Sequence, residues 1–502
     1  MKSNFTSTIA GATVLLAGVG IISRGLGFFR EVAFASYYGL TTEFDLYLIG
    51  VVIPVTINTI VLFIAQNIFV PLYHKYKSDD SANYFLYQQL RIFLFISLLI
   101  FIFLFILSKT IITSYQPDID LVSKQIVNSI FRLSIISIPL SSLNSICIVY
   151  LQAKYDFKNG AISQLFLNVV IIIAVIILSS TFSIYAVPLG YVVGTLLQSI
   201  YLVKKSKINL VSIFKFSTLI KPIIPLPIKS LIIIAAIEST GQLYMLLDRF
   251  FFLQVDSGGI ASINYAQNIF FLPMQIFSIA LTTAIFPKLS ELYSNELFDK
   301  FESIINKSLH VIVVIFIPTT IVLFFWGDLI IKLFYERGKF LATDSSMTFQ
   351  VLQMLTLSLF CYSIYAVLNK IFYTVNQNGL LLIITIVGIF VKLFFNMILV
   401  GPLSQGGLAL STTITYIYFF VVSLLVLKIK KIYFPDSKLF FISLSIIINS
   451  VVSLVIVTFI FASISNHSTF ISLIMLLTFV GLFTINLYLY DKDIFSRVIL
   501  LK

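Results

Sequence analysis

The sequence predicts an all-α polytopic membrane protein of fourteen transmembrane helices, arranged as two parallel six-helix repeats plus two C-terminal helices, and three observations predict it. Hydrophobic residues make up 59% of the 502-residue chain and charged residues only 11%, with a mean hydropathy of +1.04; this balance marks a chain whose solvent is the bilayer. Apolar runs of about 20 residues or more, each long enough to cross ~30 Å of hydrocarbon, recur from end to end and leave no polar stretch large enough for a soluble domain. The third observation is an internal repeat.

In chain order the spans cover 8–37, 42–72, 85–113, 120–152, 160–181, 183–204, 225–254, 258–290, 302–334, 345–374, 377–399, 405–431, 436–462 and 467–490. The first keeps arginines and has no small-residue cleavage site near its end, so it reads as a retained anchor and not a signal peptide. Lys75 and Lys77 follow the second span, Lys154 and Lys158 the fourth, Lys204, Lys205 and Lys207 the sixth, Lys288 and Lys300 the eighth. Lys370 lies near the end of the tenth, Lys428, Lys430 and Lys431 near that of the twelfth, and Lys492 and Arg497 follow the last. On the other side stand only Lys109, Arg337 and Lys339. This bias predicts that both termini are cytoplasmic, and it accounts for most of the net charge of +12 without a nucleic-acid partner. Gly25, Gly27, Pro54, Pro139 and Pro273 lie inside spans, where neighbouring helices satisfy the freed backbone groups; they predict bends.

Sliding the chain against itself by 219 residues pairs Arg30 with Arg249, Gly39 with Gly258, Asp45 with Asn264, Pro54 with Pro273, Asn159 with Asn378 and Gly160 with Gly379. Matches among such residues mean more in this composition than matches of leucine or isoleucine. The predicted organisation is an N-terminal six-helix half (1–204), a cytoplasmic linker (205–224), a second six-helix half (225–431), and two appended helices with a cytoplasmic tail (432–502). Six is even, so the halves run the same way across the membrane, as in transporters whose repeats rock about a site between them.

Charges inside the spans point to that site. An arginine at mid-bilayer costs roughly 2.5–3.5 kcal/mol on insertion scales, so it faces a bundle interior or a wet cavity. Arg24 and Glu31 are seven residues apart on one helical face, and Arg30 points about a third of a turn away. Glu31 and Asp45 either neutralise these arginines in an internal lattice or leave a cavity suited to an anion. The excess of arginine, whose planar fork grips phosphate oxygens, and its repetition at Arg249 favour the anion. A drug/cation antiporter, by contrast, needs uncompensated carboxylates. No nucleophile–base pair or phosphate-binding glycine loop stands in a context that supports an enzyme. Cys147 and Cys361 fall in separate predicted helices and His74, His310 and His467 are scattered, so neither a disulfide nor a metal site is expected.

At "SRGLGFFREVAFASYYG" (23–39), Asp45 nine residues before Pro54, "FVPLYHKY" (69–76), "LTTAIFPKLSEL" (281–292) and "FYERGKF" (334–340), the chain resembles the MurJ/MviN family, within the superfamily that also holds multidrug (MATE) and polysaccharide exporters. The resemblance covers nearly the whole chain. It implies a flippase for lipid II, the undecaprenyl-pyrophosphate-linked peptidoglycan precursor, in the bacterial inner membrane, acting as a monomer with a lipid-linked saccharide and membrane lipids as its partners. It also implies that Arg24, Arg30 and Asp45 line the central cavity and that the appended helices hold the polyprenyl tail; Arg249, from the repeat, and Asn268 are further candidates. Asn58 and Thr59 stand where family members carry a basic residue after the proline of the second helix, and Asn268 and Phe271 where some carry Arg and Glu. The cavity is therefore less basic than expected, and a flippase for another polyprenyl-linked oligosaccharide fits these residues as the alternative.

The second half carries Glu238, Asp248, Lys392 and Asn396 in its spans. The resemblance implies a sodium ion held among helices 7, 11 and 12 by carboxylate and amide oxygens. Lys392 stands about where such a ligand belongs, so its ammonium either replaces the ion by pairing with Asp248 or snorkels to an interface along its stem. Asp328 and Lys332, at i,i+4, read as a local helix pair.

Overall fold

A computed structural model describes residues 9–73, 79–154, 156–213, 228–462 and 469–490, and these are helical with short connections and no strand. Among the described residues ten helices, or eleven if one bent pair forms a single span, are long and apolar enough to cross a membrane. Most of the expected linker (214–224 of 205–224) and the tail beyond 490 lie outside the described residues. The chain forms two compact units: residues up to Leu253 together with Arg337–Phe340, and Gln254–Glu336 together with Leu341 onward.

The first unit contains α1 (Ile9–Tyr38), α2 (Thr42–Tyr73), α3 (Asp79–Tyr115), α4 (Leu121–Ile135), α5 (Ser137–Ala153), α6 (Phe157–Phe182), α7 (Ala186–Ser206), the single turn α8 (Leu210–Ile213) and α9 (Ile228–Phe250). Gly39 ends α1 at φ 55° and returns its N–H to Ala35 O at 2.8 Å, the left-handed stop that glycine tolerates best. Asp120 starts α4 by accepting the N–H groups of Val122 and Ser123, both at 2.9 Å. These bonds, that of Ser123 foremost, hold its carboxyl below the ordinary carboxylate range.

The expected span 120–152 is broken at Ile136 into α4 and α5, because Pro139 has no N–H and its ring excludes the carbonyl one turn earlier. Packing joins α2, α3, α5 and α7 around Phe69, Phe85, Ile146, Val149 and Leu202, all buried. Phe95, Phe103 and Ile106 of α3 stay exposed, as a lipid-facing surface requires. Buried hydroxyls turn back on their own helices, Thr195 to Tyr191 O at 2.6 Å and Ser199 to Thr195 O at 2.9 Å, which satisfies polar groups where water is absent.

Arg337–Phe340 joins this unit through one turn. Gly338 has φ 62°, and Lys339 N–H donates to Ser36 O at 2.8 Å. A Cβ at Gly338 would lie 2.2 Å from Ser36 O, so the glycine of "FYERGKF" serves both the left-handed turn and the approach to α1.

The second unit contains α10 (Gly259–Pro273), α11 (Ile279–Ser294), α12 (Phe298–Tyr335), α13 (Ala342–Thr356), α14 (Leu359–Thr374), α15 (Asn378–Leu403), α16 (Gln405–Ile429), α17 (Ser437–Ile460) and α18 (Thr469–Tyr490). Pro273 is followed by a π-turn over Met274–Ser278 between α10 and α11, an irregularity that an intramembrane proline favours. The expected span 345–374 is likewise two helices, α13 and α14, bent by 50°. No proline stands at this break. Instead Thr413 of α16 donates to Met354 O at 2.6 Å and Ser358 to Leu355 O at 2.8 Å, diverting carbonyls of the last turn of α13. Trp326 of α12 packs on Val457 of α17 and Phe479 of α18, with the Trp326 and Phe479 rings 5.3 Å apart. Lys332 and Asp328 bond at 2.6 Å as the expected i,i+4 pair.

Candidate functional site

In the first unit the site begins on α1. Glu31 is 7% exposed, and a carboxylate so deep needs a partner. It finds one in its neighbour. Arg30 Nη2 and Nε donate to Glu31 Oε1 at 2.6 and 3.2 Å. Helical periodicity alone sets these residues on different faces, but the long arginine stem lets its guanidinium fold back to the carboxylate. Nη1 then reaches Asn168 Oδ1 of α6 at 3.2 Å, and the guanidinium lies 5.6 Å from the Phe34 ring centre. The arginine is the more exposed partner, 28% against 9% for the glutamate side chain. The pair therefore offers its positive end.

Arg24 lies in α1, but its side chain is outside the described residues, as is that of Glu238. Asp45, in the first turn of α2, is fully buried. Asp248 and Arg249, near the end of α9, are each 2% exposed. Arg249 Nε has no hydrogen-bond partner. This end of α9 is held by the end of α3 and the residue after it: Gln116 Nε2 donates to Arg249 O at 2.5 Å, and Tyr115 OH to Leu246 O at 3.2 Å. Arg132 is engaged elsewhere, donating to Ser108 Oγ at 2.7 Å with its guanidinium 5.0 Å from the Phe105 ring centre.

The second unit holds the other candidates. Asn268 of α10 is half-buried with an unpartnered Nδ2, and beside it Phe271 packs on Phe270 and Tyr362. Lys392 of α15 is 1% exposed and donates from Nζ to Thr412 Oγ1 of α16 at 2.6 Å. That burial overturns the snorkelling alternative, which needs the ammonium in water. One turn on, Asn396 Oδ1 accepts the hydroxyl of Ser411. An ammonium has only donors to offer and repels a second cation.

No sequence spacing marks Asn168, Thr412 or Ser411 as partners of these residues. Asn168 lies 138 positions from Arg30, and no local spacing relates the two. A lone amide in the apolar run "LFLNVVIII" was the available signal.

The probable lipid II flippase MurJ of Buchnera aphidicola subsp. Acyrthosiphon pisum (strain APS) is 26% identical over 478 residues, spanning 91% of this chain and 92% of that protein. A solved structure described as lipid II flippase MurJ in an inward closed conformation matches with a TM-score of 0.79 at 23% identity, covering 96% of this chain and 99% of the other. An inward-facing MATE-family multidrug transporter matches with a TM-score of 0.66 at 14% identity, covering 82% and 98%. At those identities the two structures speak for the fold. The family model for lipid II flippase MurJ matches residues 34–481, and the chain belongs to that family.

Proposed function

We propose that this chain moves lipid II from the inner to the outer leaflet of the bacterial cytoplasmic membrane by alternating access. The observation that carries the reading is the Arg30 guanidinium. A guanidinium has five N–H donors, of which the bonds to Glu31 and Asn168 use three; the remaining donors face a partly open site and suit a pyrophosphate oxygen. Arg24, Asp45, Arg249 and Asn268 are the further substrate contacts proposed.

Fourteen spans in two parallel repeats, with both termini cytoplasmic, complete the proposal. Local geometry supports the repeat. Gly39 and Gly258 are both left-handed, at φ 55° and 79°, and Ser183 and Ser404 cap α6 and α15 at φ 47°, ψ −131° and φ 50°, ψ −132°. In the second unit a groove of about 430 Å³ on α17 and α18, lined by Phe441, Ile446 and Leu487 among others, supports a place for the polyprenyl tail.

The test is transport of headgroup-labelled lipid II in proteoliposomes. Wild-type protein is expected to flip it and Arg30→Ala to fail while remaining folded. Normal transport by Arg30→Ala removes the site.

A further inference from the structure

Four helices of the first unit, α2, α5, α6 and α7, frame a pocket of about 170 Å³ lined by Asn58, Thr59, Ser141, Asn144, Tyr191 and Gln198 among others, with no charged side chain. Two amides in it are fixed in orientation. Asn144 Nδ2 donates to Thr195 O at 3.2 Å and to Gln198 Oε1 at 3.1 Å. Thr195 O is a backbone carbonyl and can only accept, so the amide cannot be turned round. Gln198 is committed in turn, its Nε2 donating to Ser163 Oγ at 3.3 Å. On α2, Asn58 Nδ2 donates to Ser137 Oγ at 3.0 Å, and that hydroxyl has given its own proton to Ser134 O at 2.7 Å.

Both networks leave the same atom over. Asn58 Oδ1 and Asn144 Oδ1 are buried without a partner, on residues only 9% and 3% exposed. Buried carbonyl oxygens require a donor. The two orphaned atoms are acceptors, which an anion does not satisfy, and a bare cation finds no carboxylate in the lining to balance it. What fits is a neutral group bearing O–H or N–H. The space equals about six waters at ~30 Å³ each, roughly the bulk of one pyranose ring.

The pocket also adjoins the anion site. Asn168, which holds Arg30, donates from Nδ2 to Gln164 O, and Gln164 lines the pocket; residues four apart on a helix are neighbours. In a polyprenyl-pyrophosphate saccharide the sugar is esterified directly to the phosphate, so the two groups require adjacent sites. We infer that this pocket binds the phosphate-linked N-acetylhexosamine ring of the cargo while Arg30 holds the pyrophosphate. The inference rests on the flippase reading. It gives Asn58 and Thr59, which replace a basic residue of the family pattern, a role in recognising a neutral ring.

The test uses full-length protein in lipid nanodiscs and three ligands: lipid II, undecaprenyl-pyrophosphate-N-acetylglucosamine and sugar-free undecaprenyl pyrophosphate. Leu62→Trp and Ser141→Leu fill the pocket without removing either amide. Each is expected to weaken binding of the two sugar-bearing lipids about tenfold or more, the loss that follows when a polar site is denied its partner, while sugar-free lipid binds within about twofold of wild type. Unchanged affinity for the sugar-bearing lipids overturns the pocket, leaving it a site for water. Equal loss for all three ligands overturns it as well, because the effect then acts through Arg30 or the fold. Transport of lipid II by wild-type protein scores the flippase reading separately, so a protein that flips none yet loses its sugar-dependent affinity in both variants refutes the function and keeps the pocket.

Discussion

Arg30 performs two tasks at residue scale, and they can be separated by mutation. It neutralises the buried Glu31 and, through donors left over from Glu31 and Asn168, presents charge outward. Removing one partner of a buried pair costs about 3–5 kcal/mol, so Arg30→Ala is expected to lose both stability and transport. Adding Glu31→Gln removes the stranded charge. The double variant is expected to regain most of the thermal stability of wild-type protein but none of its lipid II transport; recovery of transport by the double variant refutes Arg30 as a ligand. Arg30→Lys keeps the charge without the planar fork and should bind undecaprenyl pyrophosphate about 10–100-fold more weakly, the worth of about one charge-assisted bond.

Helix ends and breaks set the behaviour of the elements. The Gly338 turn meets Ser36 O so closely that any side chain displaces it, and both Gly338→Ala and Gly338→Asn are expected to lower the melting temperature and to fail in complementing a flippase-depleted strain. Asparagine tolerates the left-handed backbone, so equal severity of the two separates the contact from the conformation; rescue by asparagine alone means φ was the sole constraint. The Asp120 cap has a predictable pH signature. Its folded-state pKa is depressed, chiefly by Ser123, so its stabilisation is present above the ordinary carboxylate pKa and is lost as pH falls through the lower folded value. Asp120→Ala is expected to melt earlier than wild type at pH 7 and to converge with it in acid. A constant difference across that range contradicts the capping role.

For the whole molecule the question is driving force. Carrying about two negative charges out of an inside-negative cell across 100 mV is favoured by roughly 4–5 kcal/mol if the full potential is crossed. In the emptied carrier, only the positive charge left after Glu31 and Asp45 are counted against the cavity arginines is drawn back by the same field. Flipping in proteoliposomes is therefore expected to follow the sign of an imposed potential without ATP. Because Lys392 already places a buried ammonium beside Thr412, sodium is expected to matter little. Equal rates at both signs defeat the electrical argument, and strict sodium dependence defeats the role given to Lys392.

The apolar runs, the loop charges and the family stretches were determined by the sequence alone, because the need to satisfy every backbone group in hydrocarbon makes a long apolar segment helical wherever it packs. The interruptions of regular α-helix beside Pro139 and after Pro273 were legible for the same local reason, whereas α1 and α2 run unbroken past Gly25, Gly27 and Pro54. Partnerships were not. That Arg30 folds back onto Glu31 and reaches Asn168, that Lys392 is buried on Thr412, that α13 and α14 separate without a proline, and that Asn58 and Asn144 leave their carbonyl oxygens over one pocket all depend on groups far apart in the chain. A side chain's partner is chosen by which helices pack side by side, and in an apolar composition that choice leaves almost no trace in spacing; only the tertiary structure decided it.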